Sequence, residues 1–177
     1  NDAGSFRIGI VVSEWNDFVT YNLRDGALEV LKAEGVQEEN IKVFKVPGAF
    51  ELNYASMQLC KEGRFDAVIA IGCVIRGETP HFDYVCSAVA QGIKDCNVLT
   101  DVPTIFCLLT DDTKEQSIAR SGGTLGNNGV EAGVSALQMI DFKKKLSEKT
   151  GNIGLATHLI FNCLMFHHEI SNKFKKM

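Results

Sequence analysis

A chain of 177 residues, 45% hydrophobic and 23% charged, is long enough to bury one sizeable core and too apolar to be disordered or collagen-like. Its formal net charge of -4 argues against general nucleic-acid binding, although a local basic patch could still serve a small anion. No run reaches the length of a membrane span and no signal-peptide pattern opens the chain; the six cysteines form no C-x-x-C pair and read as buried, reduced thiols of a cytoplasmic protein.

In chain order, Arg7–Val12 reads as a strand and Phe18–Ala33 as a helix that stops before Gly35. Ile41–Val46 alternates polar and apolar residues, which suits a sheet edge. A helix is expected from Phe50 to about Glu62, followed by a strand over Asp66–Ile75. The centre of that strand, Ala67-Val68-Ile69-Ala70-Ile71, is apolar without alternation, the pattern of a central parallel strand covered on both faces. The next helix is expected from Asp83 to about Cys96, and Thr104–Thr110 is a second strand of the buried type. A short helix from Thr113 to about Ser121 leads to the glycine-rich link Ser121–Gly129, read as a hinge or cap. A longer helix then runs from Val130 to about Leu146, with Asn127 or Asn128 as its N-cap. Four strands each followed by a helix predict right-handed crossovers and a flavodoxin-like, three-layer α/β/α sandwich around a four-stranded parallel sheet. Residues 1–147 are expected to form this α/β domain and 148–177 an atypical C-terminal extension.

Ligands of open α/β sheets bind at the carboxyl ends of the strands, so the residues there carry the functional reading. After the first strand stands Trp15, a stacking platform for a planar ring or else a capping core residue. After the second, Pro47 and Gly48 shape a turn followed by Ala49, Phe50 and Glu51; the glutamate is either a ligand contact or a first-turn carboxylate complementing a helix dipole. The third strand ends in Cys73, Val74 and Ile75 and empties into a turn holding Glu78, Thr79 and His81, which sets a base beside a helix start able to face a phosphate. Phe106 lies within the fourth strand, at a subunit edge or in the core. Arg120 closes a helix, where a cation is favoured by the dipole and where its fork could also grip an anion. His158, His167 and His168 lack metal-site spacing, and no metal is expected.

Taken together, four segments resemble the lumazine synthase family: Ile10–Asn16, Val46–Glu51, Gly72–Val85 and Gln116–Glu131, in the family's order within residues 5 to 147. The resemblance implies a transferase of riboflavin biosynthesis that needs no cofactor. It would condense 5-amino-6-(D-ribitylamino)uracil with 3,4-dihydroxy-2-butanone 4-phosphate to 6,7-dimethyl-8-ribityllumazine, phosphate and water. It implies roles as well. Trp15 stacks on the pyrimidine ring; Ala49, Phe50 and Glu51 hold the ribityl chain and ring edge; Cys73, Val74 and Ile75 read the ring's polar edge through backbone groups. Glu78 and Thr79 form the phosphate turn, His81 transfers protons, and Phe106 and Arg120 come from an adjacent subunit, the arginine to the phosphate. The implied partners are the two small-molecule substrates and further copies of the chain with shared sites, in a homopentamer or a hollow icosahedral shell of pentamers, with no nucleic acid and no membrane. The link Ser121–Gly129 lacks the insertion associated with pentamer-only members, which favours the shell.

Two departures stand out. Many members carry Asn-Lys-Gly where this chain has Asn127-Asn128-Gly129, and family members usually end near Leu146, whereas this chain continues through an apolar run to a basic finish. These are the only features that support the alternative, a catalytically weak lumazine- or flavin-binding or shell-forming homologue. A lumazine-dismutating enzyme on the same fold is disfavoured by the full matches over Pro47–Glu51 and Gly72–Asp83.

Overall fold

The computed structural model describes residues 3–148. After a short 3₁₀ turn at Ala3–Ser5, strands β1 (Ile8–Ser13), β2 (Ile41–Val46), β3 (Ala67–Ile75) and β4 (Thr104–Asp111) alternate with helices α1 (Asp17–Ala33), α2 (Leu52–Lys61) and α3 (His81–Leu99). The strands form one parallel sheet in the order β2-β1-β3-β4. The apolar run of β3 does lie inside this sheet, and the alternating β2 lies at its edge, as the pattern predicts.

Side-chain alternation explains why β3 needs no polar face. Ala67, Ile69, Ile71 and Cys73 enter a cluster with Leu23, Ala27 and Leu31 of α1 and with Ala132, Ala136 and Ile140, whereas Val68 and Ala70 enter a second cluster with Leu52 and Leu59 of α2 and Val89 and Ile93 of α3. The sheet is thus covered by helices on both faces, the three-layer α/β/α arrangement. β4 is also apolar on both faces, with Cys107 and Leu109 in one cluster and Leu108 in the other, yet it stands at the opposite edge from β2. Apolarity reports the covering above and below a strand and says nothing of its lateral neighbours.

After β4 comes α4 (Lys114–Arg120), opened by a full capping box in which Thr113 and Gln116 satisfy each other's backbone N–H groups. The glycine-rich link is more ordered than a hinge: β5 (Ser121–Gly123) and β6 (Gly126–Asn127) pair as a small antiparallel hairpin. The last helix, α5, begins at residue 128. Of the two asparagines, Asn127 is its cap, its Oδ1 accepting from Gly129 N at 2.8 Å. Gly129 allows backbone contact with α1, since a Cβ there would lie 1.8 Å from the Leu23 carbonyl oxygen. Residues up to Ile140 form one compact unit that holds everything described below. Residues 141–148, also helical, belong to a second unit, in which Lys145 pairs with Asp141. The apolar run beyond Asn152 and the three C-terminal histidines lie outside the described residues. No described helix is long and apolar enough to cross a membrane.

Candidate active site

Because the four strands run parallel, their carboxyl ends converge on one rim, and the crevice there opens where chain order reverses between β1 and β3. It is a cleft of about 700 Å³. Four stretches of chain line it: Trp15 and Asn16 after β1, Gly48 to Glu51 after β2, Cys73 to Ile75 at the end of β3, and His81, Tyr84, Val85 and Ala88 along one face of α3.

The first two loops are tied together by backbone. Glu14 N donates to the Val46 carbonyl at 2.8 Å and Trp15 N to the Pro47 carbonyl at 3.0 Å. Trp15 is therefore anchored through its main chain while the residue stays 74% exposed, which removes the reading as a capping core residue. The next residue, Asn16, is the one described non-glycine residue with positive φ, at 61°, a conformation that asparagine tolerates better than most side chains. From there its Nδ2 donates to the Cys73 carbonyl at 3.0 Å, binding the β1 loop to the end of β3. The Cys73 carbonyl is thus already engaged by protein.

Glu51 has a local duty as well. Its Oε2 accepts from Gly48 N at 3.0 Å and closes the turn that precedes α2. Cys73 forms part of the floor, where burial pushes its thiol up to about 11 against the opposing hydrogen bond to Ser117. The thiol remains protonated at neutral pH and is no nucleophile.

The β3–α3 turn is held from behind. Arg76 N donates to the Asp111 carbonyl at 2.9 Å, and the Arg76 guanidinium bonds Asp112 at 2.7 Å and Asp83 at 3.1 Å while lying over the Phe82 ring. Pro80 occupies the N-cap of α3, so the helix starts at His81, two residues earlier than the periodicity suggests, and His81 sits on its first turn. That early start places 81, 84, 85 and 88 on one face, the i, i+3, i+4, i+7 stripe of a helix. Gly48, expected to let the backbone approach a ligand, is in the lining, and Tyr84, Val85, Ala88 and Asn16 line the cleft beyond the expected site residues; the helical stripe is the signal for the first three of these four.

Of the expected site residues, Trp15, Ala49, Phe50, Glu51, Cys73, Val74, Ile75 and His81 meet in the cleft. Glu78 and Thr79 are exposed on the adjoining turn and do not line it. Phe106 is 45% exposed and belongs to a separate depression of about 160 Å³ that it shares with Asn128, Glu131 and Ser135. Arg120 ends α4, its Nη1 donating to the Gln116 carbonyl at 3.1 Å and standing 3.8 Å from Asp111 Oδ1.

A family model described as 6,7-dimethyl-8-ribityllumazine synthase matches residues 5–144. The chain belongs to that family. Among curated relatives, a 6,7-dimethyl-8-ribityllumazine synthase of Phocaeicola vulgatus is 51% identical over 83% of this chain and 88% of its own length. One of Flavobacterium psychrophilum is 55% identical over 78% of this chain and 73% of its own. One of Bacteroides fragilis is 50% identical over 80% of this chain and 99% of its own. All four segments that carry the resemblance to lumazine synthases fall inside the matched residues, and three of them supply the lining of the cleft apart from Ala88.

Proposed function

We propose that this cleft is the reaction chamber for the family's chemistry and that its residues divide the work as follows. The chain condenses 5-amino-6-(D-ribitylamino)uracil with 3,4-dihydroxy-2-butanone 4-phosphate to give 6,7-dimethyl-8-ribityllumazine, phosphate and water, the step before riboflavin itself. The observation that carries the siting is the convergence of Trp15, Glu51, Cys73 and His81, from four separate elements, on one crevice.

Trp15 takes one face of the pyrimidine. Ala49, Phe50 and Glu51 receive the ribityl chain and the ring edge, and the main chain of Val74 and Ile75 meets the ring's polar atoms. The Cys73 carbonyl is less suited to that task, since Asn16 already donates to it. An imine must form between amine and ketone, phosphate must leave, and the ring must close, so protons move at each stage. His81, an exposed residue of the cleft lining, exchanges them; imidazole is the side-chain type suited to this traffic near neutral pH. Glu78 and Thr79 offer the turn that receives the phosphate. Holding two substrates in register removes an entropic barrier that reaches about 7–11 kcal/mol in well-oriented systems, so positioning carries much of the rate.

Phe106 and Arg120 line no part of this chain's cleft. That favours a homo-oligomer in which each copy lends these residues to its neighbour, a heterologous contact that closes into a ring, here of five, and by further packing a shell. The described cysteines are all free and mostly buried, which fits a reducing compartment, the cytoplasm. Residues 1–147 act as the catalytic domain and 148–177 as an extension beyond the 5–144 family match.

Lumazine absorbance after mixing the two substrates tests the reading. Wild type is expected well above the uncatalysed background, and His81→Ala is expected to lose about 100-fold in kcat with little change in either KM. A full-rate His81→Ala enzyme would remove the histidine from proton transfer. No observation favours a catalytically silent binder.

A further inference from the structure

Behind the floor of the cleft runs a file of polar groups to which the proposed chemistry assigns no task. The Cys73 thiol donates to Ser117 Oγ at 3.4 Å, and the Ser117 hydroxyl donates to Asp111 Oδ2 at 2.8 Å. The other carboxylate oxygen, Oδ1, stands 3.8 Å from Arg120 Nη1. Ser117 is fully buried and Asp111 is 8% exposed, so this is not a chance surface encounter. A carboxylate out of water is costly unless hydrogen-bonded and paired, and its geometry is then set by its partners. The backbone of Asp111 is fixed too: it pairs in register with Ile75 at the end of β4, and its carbonyl accepts from Arg76 N.

We propose that Asp111 is a positioning residue for Arg120, its carboxylate set by Ser117 and in turn aiming the guanidinium that grips the substrate phosphate. The proposal rests on the reading of Arg120 as the phosphate's ligand. Among the described residues, the arginine's hydrogen bond to Gln116 and its approach to Asp111 use the same nitrogen, Nη1. An oxyanion is then met by the Nε/Nη2 edge, two parallel donors in fixed geometry. Asp111 is rigid where Arg120 is long and rotatable, so its charge selects among arginine rotamers at the moment the phosphate arrives.

Asp111→Asn keeps the side chain's shape and its ability to accept from Ser117 but removes the charge. Steady-state kinetics of this variant are expected to show KM for the butanone phosphate raised about fivefold, with kcat and KM for the uracil within about twofold of wild type. Ser117→Ala is expected to move the same KM about twofold, and Asp111→Asn is expected to add nothing in an Arg120→Ala background. A purely structural aspartate would instead disturb both KM values and the melting temperature together. An unchanged or lowered KM in Asp111→Asn, beside a raised one in Arg120→Ala, overturns the proposal alone. An unchanged KM in Arg120→Ala takes down the phosphate reading of the arginine and the proposal with it. Should Asp111→Asn fail to fold, Ser117→Ala decides, and an unshifted KM there counts against the proposal.

Discussion

The two ends of the cleft are built to different standards. At the end proposed to take the ring, Trp15, Glu51 and Cys73 are locked by bonds within the chain: Trp15 N to Pro47, Glu51 to Gly48, and Asn16 across to the Cys73 carbonyl. At the end proposed to take the phosphate, Glu78 and Thr79 ride on an exposed turn, and Phe106, Arg120 and Asn128 stand outside the cleft. On the proposed division of roles, one end is complete in a single copy and the other calls for a second. The ring end resembles a preformed slot whose contacts cost little ordering on binding, whereas on the proposed reading the phosphate end acquires its charge only in an assembly.

The largest effect is expected from removing that charge. Arg120→Ala should raise KM for the butanone phosphate about 100-fold, the scale of a lost charge-assisted hydrogen bond, and leave KM for the uracil near wild type. The same variant separates the two ends physically. In a subunit-exchanged mixture with His81→Ala, about a quarter of the sites combine an intact histidine with a neighbour's intact arginine, so activity should return on mixing two nearly inactive proteins. Failure to complement would place both residues in the same copy's site and erase the contrast.

Next comes the ring end. Trp15→Ala should raise KM for the uracil about 30-fold, within the range for losing an aromatic stacking partner, with no change for the butanone phosphate. A reversed pattern would mean that the exposed indole serves the assembly and not the substrate. Asn128→Lys is expected to do the opposite of a loss: restoring the cation that many family members carry should lower KM for the butanone phosphate about tenfold. Asn128 shares its depression with Phe106, so the new ammonium would reach a neighbour's phosphate end by the same route. An unshifted KM would show that Arg120 alone suffices.

The same contrast governs how much could be read without coordinates. The non-alternating run of β3 and the alternation of β2 located centre and edge, and the residues at the strand ends followed from topology alone. What escaped was whatever depends on a single backbone choice. Pro80 at the N-cap advances α3 by two residues and puts His81 on the helix, on the face that carries Tyr84, Val85 and Ala88. The positive φ of Asn16, which sends its side chain to Cys73, leaves no trace in apolar periodicity. The hairpin at Ser121–Asn127 is built from small and polar residues in strands of three and two, too short to show alternation. For Phe106 and Arg120 the residues alone left a functional and a bland reading side by side, and only the family pattern chose between them, because no local rule distinguishes a side chain that serves a neighbour from a merely exposed one.

The smallest expected effect asks whether the ring end is as dry as its hydrogen bonding suggests. Burial raises the Cys73 thiol from 9.0 to about 11 in the folded chain, while in the unfolded chain it titrates near its ordinary value. Between those two values the unfolded state sheds a proton that the native state keeps, so fewer protons are bound on unfolding and stability falls as pH rises. The contribution is fully present below pH 9 and is lost progressively up to about pH 11, amounting to about 1 kcal/mol by pH 10. Urea unfolding at pH 8 and pH 10, compared between wild type and Cys73→Ala, isolates this share from other groups that titrate in the same window. The variant should lose less stability over that interval. An identical loss in both proteins would mean that water reaches the floor beside Trp15, and the ring end would then be no better sealed than the phosphate turn.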